Sequence, residues 1–265
     1  MKLQISHKTE YTYSAPVDYA LQKVRLRPMV YALQDVETWQ VEIEGGKLET
    51  SYQDHYGNHV DLVSITPGAQ ALVIKASGTV VTHPNNGVLG KIYGCASLWH
   101  FQQPTLQTMP GPAIKVLSKT IGNSANVLDG LHDLSSAILK AAPYELGPTH
   151  SHTTAEAALT GGLGVCQDHA QIFAAAARVA GIPARYISGY LMMNDTVNQD
   201  ATHAWVEAHV EGLGWVGFDV SNGISPDERY VRVAVGRDAR DASPIEGLRM
   251  GHADETLVVS LQVQQ

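Results

Sequence analysis

Cys166 stands in "GGLGVCQDHAQIFAAAARVAGIPARYISGYL", residues 161–191, behind glycines at 161, 162 and 164 and ahead of an alanine-rich run. A cysteine at the mouth of a helix can be a small buried hydrophobe or a nucleophile. Its setting favours the nucleophile. The glycines keep side chains away from the entrance, so the thiol is accessible and a substrate backbone can come close. Free N–H groups of the first turn and the positive end of the helix dipole favour thiolate over thiol. The same N–H groups can hold an oxyanion after attack on a carbonyl. Cys95, in "IYGCASLWHF", has no such setting and reads as structural.

A thiol nucleophile needs a base, and the base needs an orienter. With 12 histidines in the chain, strand parity has to select. "THAWVEAHV" alternates, which puts His203, Trp205, Glu207 and His209 on one face. The chain turns at "EGLG" and returns through "GWVGFDV", where Trp215, Gly217 and Asp219 share a face. The separation of His203 and Asp219, 219 − 203 = 16, is even. Two residues of a hairpin share a face only when their separation is even, because a slip of one residue flips every side chain. Placed opposite each other or one pair diagonal, carboxylate and imidazole meet. Glu207 cannot serve, since four residues along a strand span roughly 13 Å. Asn222 is a substitute orienter that parity disfavours.

Other chemistries are poorly supplied. Cys166 and His169 are three apart with His150 and His152 upstream, but one thiol falls short of the clustered ligands of structural zinc. No acidic calcium loop and no phosphate-binding glycine pattern is present, so neither metal nor cofactor is expected. A net charge of −8 disfavours nucleic-acid and anionic-membrane partners. No apolar run reaches bilayer length, and the first residues lack the stretch of a signal peptide. Two cysteines make no disulfide framework, so a reducing cytoplasm is the expected location. The sequence leaves the oligomeric state open.

The elements that would hold these residues are of two kinds. Up to about residue 85, "KLQISHKTEYTY", "DVETWQVEIEG", "GKLETSYQDHYG", "NHVDLVSITPG" and "ALVIKASGTVV" alternate between turn residues, predicting an antiparallel β-sandwich-like domain. Pro104, Pro110 and Pro112 mark a boundary between a β-rich domain, 1–105, and a second domain, 106–265. There, "GPAIKVLSKTIG" predicts a helix opened by Pro112 and stopped by Gly122, and "DGLHDLSSAILKAAP" a helix ended before Pro143. "TTAEAALTGG" offers a capping box of Thr153 with Glu156. The Cys166 helix follows, and then strands at "ARYISGYLMM", "THAWVEAHV", "GWVGFDV", "RYVRVAVG" and "ETLVVSLQV", the last with either part as its partner. Helices first and strands afterwards make this part α+β.

"GVCQDHAQIFAAAARVAGIPARYISGYL" followed by "HAWVEAHVEGLGWVGFDVSNG" resembles the core of the transglutaminase-like superfamily. More narrowly it resembles the bacterial branch described as transglutaminase-like cysteine proteases. That branch carries a β-rich amino-terminal region, to which "HKTEYTYSAPVDYALQKVRLRP" is similar, and "VAVGRDARDASPIEG" also fits it. The resemblance implies a papain-like catalytic domain with Cys166 as nucleophile, His203 as base and Asp219 as acid. Two positions depart from the family pattern. His169 stands where an apolar aromatic is usual, one turn from the thiol, and "FDVSNG" replaces the commoner Asp-Pro-Thr.

Residues and resemblance together predict thiol-dependent acyl transfer on an amide or peptide bond through a thioester. Tyr144, in "APYELGPT", is the candidate second oxyanion donor beside the Cys166 N–H. Water as acceptor makes the chain a cysteine protease or amidase, and this is favoured because no amine-binding feature is visible. The alternatives are a protein-glutamine transglutaminase, a catalytically silent peptide-binding module, and a structural or assembly protein.

Overall fold

The alternation of the first residues extends into a 16-residue strand, β1 (Lys2–Val17), in which Leu3, Ile5, His7, Thr9, Tyr11 and Tyr13 are buried. The computed structural model describes residues 1–91 and 96–265, so the reading of Cys95 lies outside the described residues. β2 (Tyr19–Val24), β3 (Gln34–Glu44), β4 (Gly46–Gln53), β5 (His59–Ile65) and β6 (Ala69–Thr82) complete the amino-terminal strands. β1 and β3 flank β6 in one sheet, and β2 and β4 flank β5 in another. The two sheets close over a core that includes Val24, Val63, Leu72 and Ile74.

After β7 (Val88–Gly90) come α1 (Pro112–Leu117), α2 (Val127–Ala141), α3 (Ala155–Gly161) and α4 (Cys166–Val179). Pro112 opens α1 as expected, but the helix tightens to 3₁₀ geometry over Ser118–Asn123 instead of ending cleanly at Gly122. The expected Thr153–Glu156 capping box is replaced. Thr154 caps α3 by accepting from the Ala157 N–H at 3.2 Å. The Glu156 carboxylate instead accepts from the N–H groups of Gly111, Ala113 and Ile114 at 2.7–3.0 Å. Three unpaired donors and the positive dipole end of α1 hold it there. Among the described residues no helix is long and apolar enough to cross a membrane.

The remaining strands are β8 (Ala184–Leu191), β9 (Asn198–Gln199), β10 (His203–Val210), β11 (Gly214–Phe218), β12 (Tyr230–Gly236), β13 (Ile245–Met250) and β14 (Glu255–Gln264). A third sheet has the order β12-β8-β10-β11-β7, with every pair antiparallel. α4 packs on it through residues that include Phe173, Ala174 and Ala177, against Ala204, Val206 and Ala208 of β10. Small alanines let helix and sheet approach closely while keeping high helix propensity. The last strand, whose partner the sequence leaves open, pairs with β1, while β13 pairs with β2.

β12 is the edge strand of the third sheet, and its outer backbone groups are met by side-chain amides from the β-rich region. Gln34 accepts from the Arg232 N–H at 2.7 Å and donates to the Arg232 carbonyl at 2.9 Å. Asn58 does the same for Val235, at 2.8 and 2.7 Å. Both carboxamides are fully buried. A carboxamide presents a donor and an acceptor side by side and so substitutes for a neighbouring strand. Asn58→Ala should leave a buried N–H and a buried C=O unpaired and lower stability by about 2–4 kcal/mol. Urea denaturation of the variant beside the parent protein checks this.

Candidate active site

α4 begins at Cys166, with Val165 in extended conformation as its N-cap. The cap is supplied from inside the helix, because the Asp168 side chain accepts from the Val165 N–H at 2.9 Å and from the Thr149 hydroxyl at 2.6 Å. A Cβ on Gly164 would come within 2.9 Å of the Asp168 Cβ, so the glycine lets this carboxylate fold back over the helix entrance. Helix geometry leaves the Cys166 and Gln167 N–H groups without intrahelical acceptors. Cys166 is half-buried.

His203 opens β10 and Asp219 follows the last residue of β11. The register pairs Val206 with Phe218, so the ladder continued would place Asp219 across from Trp205, diagonal to His203. Side chains on one face then meet, and His203 Nε2 lies 2.6 Å from Asp219 Oδ2. The carboxylate is completely buried. Its Oδ2 also accepts from Asn222 Nδ2 at 2.6 Å and from the Tyr230 hydroxyl at 2.7 Å, and its Oδ1 from the Asn222 N–H at 3.2 Å. Burial pushes the Asp219 carboxyl up, but the donors led by His203 hold it below the usual carboxylate range. Burial likewise pushes His203 down, yet the hydrogen bond to Asp219 and the adjacent Cys166 side chain raise it to about 10. With Nε2 held by Asp219, Nδ1 is the nitrogen free to face the thiol. The Trp205 ring stacks near the imidazole, with centroids 6.3 Å apart.

Tyr144 forms a parallel bridge with Gly164, and hydrogen bonds from Gly164 N–H to the Pro143 carbonyl and from Glu145 N–H to the Gly164 carbonyl frame it. Its half-exposed ring stands beside the site. Burial raises the phenol pKa, and the charges of Cys166 and Asp219 raise it further. His169 is buried, with Nε2 2.7 Å from the Ala142 carbonyl and Nδ1 2.8 Å from Ser221 Oγ. Its pKa is lowered, chiefly by burial. Asn222 supports the carboxylate and does not replace it. Sequence reasoning missed Tyr230, which reaches Asp219 from β12. Strand parity within one hairpin holds no information about a third strand.

The chain matches the family model described as the transglutaminase-like superfamily over residues 115–220. It also matches the bacterial transglutaminase-like N-terminal region over residues 3–81. The chain thus carries a transglutaminase-like core preceded by a bacterial transglutaminase-like N-terminal region. An uncharacterized protein of Mycobacterium leprae is 28% identical over 99% of this chain and 98% of its own length. Another from Mycobacterium tuberculosis is 26% identical over 99% and 92%. A crystal structure titled "Putative Cysteine Protease", from Cytophaga hutchinsonii, shares the fold with a TM-score of 0.80, at 22% identity over 100% of this chain and 91% of that one. The transglutaminase-like core match supports a thiol-based enzyme in general terms.

Two measurements check the electrostatics of the site. Because the folded-state pKa of His203 is raised above its ordinary 6.5, its contribution to stability is complete below about pH 6.5 and is lost as pH rises through about 10. His203→Gln should therefore flatten the alkaline fall of the urea midpoint. Tyr230→Phe removes one of the donors on Asp219 and should cost about 1.5–3 kcal/mol, the worth of a hydrogen bond to a charged group, measured by the same titration near neutral pH.

Proposed function

We propose that the chain is a cysteine hydrolase acting on an amide or peptide bond, with Cys166, His203 and Asp219 as its catalytic groups. The observation that carries this reading is the buried His203–Asp219 pair, 2.6 Å apart, whose imidazole also feels the Cys166 side chain at the start of α4. Asp219 fixes the imidazole with Nδ1 toward the sulfur and stabilises it as a cation. The thiol proton passes to Nδ1, and the thiolate attacks the carbonyl carbon. The negative charge that develops on the carbonyl oxygen meets the Cys166 N–H, with Tyr144 as the candidate second donor. As the C–N bond breaks, His203 returns the proton to the leaving nitrogen, releasing ammonia or an amine and leaving a thioester. Water, deprotonated by His203, adds to the thioester carbonyl. Collapse then releases the acid and regenerates the thiol, so no redox partner is required.

The experiment is a panel of peptide and amide substrates run with and without an added primary amine, with products identified by mass. Acid product, unchanged by the amine and abolished by Cys166→Ala, is the expected outcome. Amine-substituted product would make the chain a transglutaminase. Absence of turnover together with an inert thiol would favour the peptide-binding module. Alkylation of Cys166 by iodoacetamide should stay fast at mildly acidic pH, where an ordinary thiol of pKa about 8.5 is almost wholly protonated. His203→Ala should move that curve to higher pH by removing the cation.

A further inference from the structure

Asp219 lies one residue beyond the last ladder pair of β10 and β11, so the sheet does not by itself fix where its loop sits. The loop closes on itself: the Asp219 N–H donates to the Ile224 carbonyl at 2.8 Å, the Ile224 N–H returns to Asp219 at 3.2 Å, and Gly223 donates to Val220 at 3.2 Å. These bonds set the shape of the loop, and His203 and Tyr230 tie Asp219 to the sheet, but none of them ties the loop to α4. Val220 packs into the core beneath, and the hydroxyl of Ser221 reaches His169, one turn along the nucleophile helix.

The protonation pattern of this contact follows from its partners. The Ala142 carbonyl can only accept, so His169 Nε2 donates to it at 2.7 Å. In the neutral ring Nδ1 is then an acceptor, and the Ser221 hydroxyl donates to it at 2.8 Å. Asp168 and Asp219 are the charged groups acting on the imidazole, and the Tyr144 ring meets it edge-on at 6.2 Å between centroids. His169 thus joins α4 to the Asp219 loop and to the segment leading to Tyr144.

We propose that the buried His169–Ser221 hydrogen bond is a positioning link that holds the Asp219 loop in register with the Cys166 helix. It rests on the Cys–His–Asp reading above and adds His169 and Ser221 as positioning residues. Without the link, Asp219 rotates away from His203, the imidazolium loses support, and the thiolate forms at higher pH.

The test is the pH profile of Cys166 alkylation by iodoacetamide, which needs no substrate. Ser221→Ala and His169→Gln break the link; the Gln amide overlays Nε2 and keeps the Ala142 contact alone. Both should move the acid limb upward by about one pH unit, the loss of one hydrogen bond. The double variant should move it no further, because one link is lost once. Ser221→Thr and His169→Asn retain the contact and should stay within a few tenths of the parent limb. The downfield proton resonance of the His203–Asp219 bond should weaken in the breaking variants and persist in the conservative ones. A limb unmoved by the breaking variants, moved equally by the conservative ones, or moved additively by the double variant overturns the link. A parent limb already at the value of a free thiol overturns the Cys–His pair itself, and the parent protein alone reports it.

Discussion

The structure around Cys166 and His203 depends on one buried carboxylate. Asp219 has no exposure to water, and an isolated charge in such a place would take up a proton instead of remaining ionised. It stays charged because donors converge on it from His203 on β10, Asn222 in its own loop and Tyr230 on β12. Each donor belongs to a different segment, so the charge that needs them also fixes their relative positions. Displacing any one of them leaves the carboxylate underpaired, a cost larger than the net gain of forming the bond. The orientation of the imidazole, with Nε2 inward on Asp219 and Nδ1 left free, follows from the same convergence.

The helix that presents the sulfur is held at both ends. Asp168 closes its entrance through Val165 and Thr149. At the other end Arg178, almost wholly buried, donates to the carbonyls of Phe101, Ala184 and Arg237 and to the Thr108 hydroxyl. A cation among carbonyls at a helix C-terminus complements the dipole, while the carboxylate complements it at the start. Alanines along the middle of the helix allow close packing on all sides, and most of α4 is buried. Under the proposed reaction such rigidity matters, since a misplacement of about 1 Å is costly for attack on a carbonyl.

The β-rich region contributes to the site indirectly. Gln34 and Asn58 satisfy the outer edge of β12, and β12 begins with Tyr230, which binds Asp219. The return of β13 and β14 to β2 and β1 closes the chain around this junction. The amino-terminal strands therefore cover an edge that would otherwise expose unpaired backbone, and the covered strand carries part of the carboxylate's support.

Local geometry was readable from the residues alone. Period-two alternation gave the long strands, glycine and alanine patterning placed Cys166 at the first position of α4, and even spacing put His203 and Asp219 on one face. Each of these depends on near neighbours in the chain, where helix and strand periods dictate side-chain direction. Only the tertiary structure decided which distant groups complete the arrangement. Glu156 caps α1 across 42–45 residues instead of its own helix, Tyr230 joins Asp219 from a third strand, and Gln34 meets Arg232 198 residues away. His169 could be seen in the sequence as an unusual ring near the thiol, but its partners, Ala142 and Ser221, are 27 and 52 residues distant. A buried donor takes whichever acceptor the fold brings within reach, and that acceptor is set by packing among all the elements, which no local period encodes.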